Sequence, residues 1–262
     1  TAGKPMVITI HDMIDERFHQ GQAAYENIIS LRAKHINQAN KIIAVSENTR
    51  KDLIELCGVD PNKIETIYHG NSFNTNIERA TLPQLFEQPY LLYTGKRYAY
   101  KNFDRLVQSL IPIMQTNPDL YLVCAGGGAF KNAELTQLKT LHLNHRVIYQ
   151  PIHDNEQLAS LYNHAQCLVY PSLYEGFGLP IIEAFACGCP VITSKGSSTA
   201  EIAGDAAVLI DPNNTYDMTE KIREVFNNSS LQNQLVQLGH NRAHLFNWDK
   251  TANQTLKLYQ AI

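Results

Sequence analysis

Two carboxylates, Glu175 and Glu183, stand with seven residues between them in "YEGFGLPIIEAFACGCPVI", which runs from Tyr174 to Ile192. A carboxylate can accept two hydrogen bonds from a vicinal diol, so the pair can grip two polyols, such as a sugar and a ribose. Two cations, Arg97 and Lys101, lie close together in "YLLYTGKRYAYKNFDRLV". Arg offers a planar fork and Lys a point charge, a combination that suits a diphosphate. Lys96 beside them is read as a solvated surface cation. His11 and Asp12 follow an apolar run in "ITIHDMI". A His at such a place is either a structural hydrogen-bonder or part of a site.

The surrounding residues say how these groups must be held. "CLVY" (Cys167–Tyr170) reads as a buried strand, and Gly176 and Gly178 form the loop after it. Pro180 fits the first turn of a helix, where its missing N–H costs nothing. Glu183 is expected in that first turn, facing the same crevice as the open amides and the positive dipole end. If both acids only complemented the dipole, the glycines and the proline would go unexplained. Gly95 closes the strand before Arg97, and Gly126 opens the turn in "CAGGGAFKN" after another strand. Glycine there lets backbone approach a ligand, though a glycine run alone is a weak indication.

The whole chain alternates short apolar runs with helical patterns. Strands are expected at Met6–Ile10, Lys41–Val45 and Ile64–Gly70, with a helix around Tyr25–Gln38 and another capped by Ser46 and reaching Leu56. Residues 71 to 89 are polar and aperiodic and read as a linker. Alternation then resumes, with strands at Tyr90–Thr94, Leu120–Ala125, Arg146–Gln150, Cys167–Tyr170, Pro190–Thr193 and Ala207–Ile210, and a helical tail from Thr215. Strands that are apolar throughout imply an α/β protein whose parallel sheets are covered on both faces. The first part, about 75 residues, is too small for an independent sheet of this kind, whereas the second, about 175, is domain-sized.

Bulk properties narrow the function. A net charge of -3 over 262 residues argues against nucleic acid as a partner. No apolar run reaches the roughly 18–20 residues that span a bilayer. The five cysteines, Cys57, Cys124, Cys167, Cys187 and Cys189, match no disulfide framework and lack the further pairs a zinc site needs. Free thiols in a reducing, cytoplasmic compartment are expected.

Glu175 and Glu183 within "PSLYEGFGLPIIEAFACGCPVITS", followed by "EIAGDAAVLIDP", strongly resemble the E-x7-E signature of retaining glycosyltransferases of family 4. The resemblance runs through at least Tyr90–Pro212 and weakens toward both ends. It implies the GT-B fold, two Rossmann-like domains with the active site between them. It would divide the chain into a partial acceptor-side domain over 1–75, a nucleotide-sugar-binding domain over 76–246, and a closing helix over 247–262 that crosses back. "ITIHDMI", "AVSENTRKDLIE", "IYHGNSF" and "FNWDKTANQTLKLY" resemble elements of that frame.

By the same resemblance, Arg97 and Lys101 bind the donor's diphosphate and support the leaving group, and His11 faces the donor sugar. Glu183 holds the ribose. Glu175, with Gly176 and the amides of Phe177, Gly178 and Leu179, holds sugar and phosphate. Gly95, Gly126 and Ile152 lie along the nucleotide. The implied activity is transfer of a hexosyl group from a GDP- or UDP-sugar to a saccharide or lipid-linked acceptor. "YKNF" resembles polysaccharide mannosyltransferases. No cofactor and no metal are expected, since the two cations and helix amides supply positive charge. The family's first domain normally carries about 90–110 further residues ahead of this point, so the acceptor side is expected to need a complementing segment or chain. A lipid-linked acceptor would add peripheral contact with the inner face of the membrane. The competing readings are another GT-B enzyme, such as a nucleotide-sugar epimerase or a phosphorylase, and a non-enzymatic nucleotide-sugar-binding module.

Overall fold

The computed structural model describes residues 3–73 and 82–262. In the first lobe, strands β1 (Val7–Ile10), β2 (Lys41–Ala44) and β3 (Ile64–Thr66) form a parallel sheet in the order β1-β2-β3. Val7 pairs with Lys41 and Ile42 with Ile64. Helices α1 (Ile14–Phe18), α2 (Ala23–Gln38) and α3 (Glu47–Cys57) connect and cover them. Periodicity found α2 and α3 but not α1, whose five residues are too few to show a period. Ser46 caps α3 as its position suggests, its hydroxyl accepting from the Thr49 amide, and Gly58 ends the helix in a left-handed conformation.

The second lobe holds a parallel sheet in the order β6-β5-β4-β7-β8-β9. Its strands are β4 (Tyr90–Thr94), β5 (Tyr121–Ala125), β6 (Val147–Gln150), β7 (Cys167–Tyr170), β8 (Val191–Ser194) and β9 (Ala207–Ile210). The helices between them are α4 (Phe103–Thr116), α5 (Asn132–Thr140), α6 (Asn155–His164), α7 (Leu179–Ala186) and α8 (Ser197–Ala203). After β9 come α9 (Thr215–Phe226), α10 (Ser229–Ala243) and α11 (Trp248–Gln260). Successive residues of β4 serve opposite cores. Leu92 joins Ile181, Ile182 and Phe185 on one face, and Leu91 and Tyr93 join Leu106, Leu110 and Ile113 on the other. Both faces are covered, so the strand needs no polar alternation. Winding runs one way from β4 to β6 and the other way from β7 to β9. The reversal opens a crevice beyond the ends of β4 and β7, where open α/β sheets take ligands.

Residues 74–81, part of the expected linker, lie outside the described residues. Leu82 and Phe86 after it pack on the larger core. The tail is helical from Thr215 with short breaks before α10 and α11. The last helix lies on the first lobe. Leu258 packs with Ile43 and Ile67, and the Thr251 hydroxyl donates to the Tyr68 carbonyl at 2.7 Å. Among the described residues, no helix is long and apolar enough to cross a membrane. The cysteines form no disulfide, and four of the five are buried.

The lobes are joined by polar contacts. Glu201 of α8 accepts from the amides of Glu47 (2.8 Å) and Asn48 (3.0 Å), capping α3 across the seam, and from the Tyr68 hydroxyl at 2.8 Å. Asp52 of α3, fully buried, accepts from Arg17 and from the Tyr174 hydroxyl. A helix N-terminus leaves amides without intrahelical acceptors. Here the other lobe supplies acceptors for two of them.

Candidate active site

The loops after β4 and β7 meet in the crevice. Residues Ala99–Lys101 form a 3-10 turn that ends on Asn102, which is left-handed at φ 61°. Asn is one of the few non-glycine residues that tolerate this conformation. Its buried side-chain amide donates to the carbonyls of Pro171 (3.1 Å) and Pro212 (2.6 Å), tying three strand ends together. The Leu173 amide donates to the Tyr100 carbonyl at 2.7 Å. This lacing brings Lys101 Nζ to 2.6 Å from Glu175 Oε1 and 3.2 Å from the Tyr170 hydroxyl. Their side chains are only 15% and 9% exposed. The pair lies at the switch point of the sheet.

Gly176 is fixed by the opposite lobe. A Cβ there would lie 1.8 Å from the His11 carbonyl oxygen and 2.7 Å from Asp12 Cβ, so only glycine fits. Its carbonyl accepts from the hydroxyls of Ser46 (2.7 Å) and Thr49 (3.1 Å). Ser198 braces the other side, donating to the carbonyls of Glu175 (2.8 Å) and Phe177 (3.0 Å). The loop amide of Glu175 donates to the Ser197 hydroxyl at 3.2 Å. Gly178 has φ 105° and starts α7, with Leu179 and Pro180 as its first two residues. Among the described residues, the amides of Gly178 and Leu179 meet no acceptor. Phe177 is buried, whereas Leu179 is 40% exposed.

Glu183 requires a correction. It lies in the second turn of α7, not the first, because the helix begins at Leu179 and turns every 3.6 residues. Its Oε2 accepts from the Tyr162 hydroxyl of α6 at 2.9 Å. Burial raises its carboxyl above the usual range, and the Tyr162 hydrogen bond opposes that rise.

Arg97 and Lys101 do not share partners, although their spacing suggested one joint site. Arg97 Nε donates to Glu134 at 2.6 Å, and Nη2 donates to the carbonyls of Gly128 (2.8 Å) and Ala129 (3.0 Å). The guanidinium lies over the Phe130 ring at 4.7 Å and its side chain is 4% exposed. Glu134, which also accepts from the Lys131 amide at the start of α5, captures it. Arg97 thus holds the glycine turn against the end of β4. There Gly127 is the position that excludes a side chain, since a Cβ would reach the Gly95 oxygen at 2.2 Å. Gly95 and Gly126 flank this contact with positive φ and open space around them. Ile152, after β6, is partly buried against the larger core.

His11 enters from the first lobe at the end of β1. Its Nδ1 is 3.2 Å from Nε2 of His69, with the rings stacked 5.2 Å apart. One nitrogen must donate and the other accept, so each ring sets the tautomer of the other. His69 is wedged against Phe177 and Trp248. Burial, then the neighbouring His11, lowers its pKa to about 4. Sequence reading missed His69, Asn102 and Tyr162. Only the Asn in "KNF" carried a local indication, as a residue suited to a left-handed turn. No cluster of three or more metal-ligating side chains occurs among the described residues.

Residues 75–242 match the family model "Glycosyl transferases group 1", and residues 1–72 match "Glycosyltransferase Family 4". The chain is 31% identical over 237 residues to O-antigen chain mannosyltransferase B of Escherichia coli, covering 87% of this chain and 62% of that protein. It is 26% identical over 268 residues to glycogen synthase of Mycobacterium tuberculosis, covering 98% and 63%. The chain therefore spans somewhat over half the length of such relatives. Among solved structures, Anabaena HepE in complex with UDP and glucose superposes with a TM-score of 0.82 at 18% identity, covering 99% of this chain and 72% of that one. Sucrose-phosphate synthase of Thermosynechococcus elongatus gives 0.79 at 23% identity, covering 97% and 67%. Both likenesses establish the GT-B architecture, with its paired α/β lobes.

Proposed function

The chain belongs to the glycosyl transferases group 1 family, and from that premise we propose that it carries the donor site of a retaining hexosyltransferase that uses a nucleotide-diphosphate sugar. The observation that carries this reading is the Lys101–Glu175 pair at the switch point, beside the open amides of α7. In the proposed complex, Lys101 turns from Glu175 to a phosphate oxygen, and the Gly178 and Leu179 amides meet the diphosphate. Glu175, released from its cation, accepts hydroxyls of the sugar. Glu183, presented one turn along α7, accepts the ribose hydroxyls.

Bond breaking leaves negative charge on the departing diphosphate. Lys101 and the fixed helix amides stabilise that charge where it forms. Arg97 serves this arrangement indirectly, by holding the turn at Gly126–Gly128 in place. His11, with its tautomer set by His69, points the first lobe's hydrogen-bonding group toward the sugar. We assign retention to attack from the face the diphosphate leaves. The mannosyltransferase relative favours mannose as the transferred sugar, and our reading takes GDP as its nucleotide carrier and a saccharide or lipid-linked saccharide as acceptor. A cytoplasmic site, at the membrane's inner face when the acceptor is lipid-linked, suits a chain whose cysteines form no disulfide.

Calorimetric titration with GDP, UDP and ADP tests the reading. One nucleotide should bind clearly more tightly than the others, and Glu183→Ala should weaken it about tenfold or more, as loss of hydrogen bonds to a charged group does. No heat from any of the three nucleotides would remove the donor-site assignment.

A further inference from the structure

Asp52 is a carboxylate with no exposure to solvent, and nothing in the proposed chemistry uses it. Burying a carboxylate is costly unless donors meet it. Its two oxygens are served from two directions. Oδ1 accepts from Arg17 of α1, through Nε at 3.0 Å and through Nη2. Oδ2 accepts from Asn48 Nδ2 at 3.4 Å and from the Tyr174 hydroxyl, which comes from the second lobe, 122 residues along the chain. Tyr174 is 4% exposed. Its ring lies under the Arg17 guanidinium at 5.4 Å and meets the Phe18 ring edge-on at 6.0 Å. Tyr174 is thus a side chain of the second lobe seated in the first.

Tyr174 immediately precedes Glu175, and Gly176 follows with its carbonyl on the Ser46 and Thr49 hydroxyls. Both neighbours of Glu175 are therefore docked on α3 or its cap, while the Glu175 side chain turns to Lys101 of its own lobe. The backbone from which this carboxylate projects is fixed from the opposite lobe. The same grip can release. Arg17 stays on Asp52 when Tyr174 leaves, and Ser46 still accepts from the Thr49 amide at 3.0 Å, since these partners all belong to the first lobe. Parting the lobes strands no charge, and water can serve the freed Oδ2. A hydrogen bond from one hydroxyl to one carboxylate oxygen also fixes direction, which an apolar contact would not.

We propose that Asp52 is a positioning residue: through the Tyr174 hydroxyl it seats the loop that bears Glu175, so that the sugar-binding carboxylate is in place only while the lobes are engaged. The role given to Glu175 rests on the glycosyltransferase reading. The docking of the loop rests on the contacts alone.

Tyr174→Phe removes the hydroxyl and keeps the ring between Arg17 and Phe18. Two measurements on this chain test the proposal. Hydrogen exchange over residues 174–178, without ligand, should quicken about tenfold, as loss of a hydrogen bond to a carboxylate does. Calorimetry then compares GDP with GDP-mannose and UDP with UDP-glucose, and the pair whose nucleotide binds more tightly is used. In Tyr174→Phe the nucleotide should bind within about twofold of the parent, and the nucleotide sugar should lose about three- to tenfold. Asp52→Ala should reproduce that split, and Asp52→Asn, which keeps an oxygen for Tyr174, should regain part of it. Glu175→Gln should lose the same preference for the sugar. Adding Tyr174→Phe to it should cost nothing further, because Tyr174 acts through Glu175.

Unchanged exchange overturns the docking. Equal losses for nucleotide and nucleotide sugar, or losses that add in the double variant, make Tyr174 a structural contact only and overturn the positioning role. Quickened exchange with no binding of any of the four ligands keeps the docked loop but removes the donor reading, and the role given to Glu175 with it.

Discussion

Replacing Lys101 by methionine keeps most of the side chain's volume and removes its charge. Two consequences can be worked from the geometry. First, Glu175 loses its cation at 2.6 Å while its side chain is only 9% exposed. Breaking a fully buried pair costs about 3–5 kcal/mol, and the residual solvent access of both groups places this one nearer 2–3 kcal/mol. With a urea dependence of about 3 kcal/mol per molar, the unfolding midpoint should fall by roughly 0.7–1 M. Second, the nucleotide loses a charge-assisted hydrogen bond of about 1.5–3 kcal/mol, so its dissociation constant should rise roughly 10- to 150-fold. The double variant Lys101→Met/Glu175→Gln separates the two effects. With no stranded carboxylate it should recover most of the midpoint, but it should not recover nucleotide affinity. Urea titration and calorimetry on the three proteins decide the matter. If Lys101→Met binds nucleotide within threefold of the parent, or if affinity returns in the double variant together with stability, Lys101 is only a partner for Glu175 and the site assignment fails.

Gly176→Ala should destabilise the chain by about 3 kcal/mol or more, measured by urea unfolding, because its Cβ would meet backbone at His11 and unseat the Ser46 and Thr49 hydrogen bonds. Glu201→Ala should cost about 2–4 kcal/mol, since it leaves two amides of α3 and the Tyr68 hydroxyl without their acceptor. Hydrogen exchange at Glu47 and Asn48 should quicken in that variant, and Glu201→Gln should regain about half the loss. His69 is held neutral, with its pKa lowered from 6.5 to about 4. Between those values the unfolded chain binds a proton that the native chain does not, so stability declines as pH falls through the window. His69→Phe keeps a ring against Phe177 and Trp248 and cannot titrate. Its urea midpoint should therefore depend less on pH between 6.5 and 4, and an unchanged slope would count against the buried neutral His69.

Much of this protein was legible in one dimension. The apolar runs at Tyr90–Thr94 and Cys167–Tyr170 announced strands because a strand covered on both faces carries no polar alternation, and that is a local property. Ser46 could be read as a cap, and Gly178 followed by Pro180 as a helix start, because capping and φ restriction depend on a few adjacent residues. The carboxylate pair and its flanks were sufficient to indicate the family.

Pairing was not legible. Nothing local says that Arg97 turns to Glu134, 37 residues away, while Lys101, four residues on, turns to Glu175. Strand order decides that outcome, since it places β5 on one side of β4 and β7 on the other. Likewise Gly176 reads as a glycine for a ligand, and the fold shows first a glycine for the His11 backbone of the opposite lobe. The contacts of His69 with His11 and of Phe18 with Tyr100 belong to no motif, because each forms only in the folded chain. Residue type and spacing determined which side chains could bear chemistry. Sheet order and lobe contact decided which of those residues meet, since burial and hydrogen bonding reward the nearest partner in space and take no account of distance along the chain.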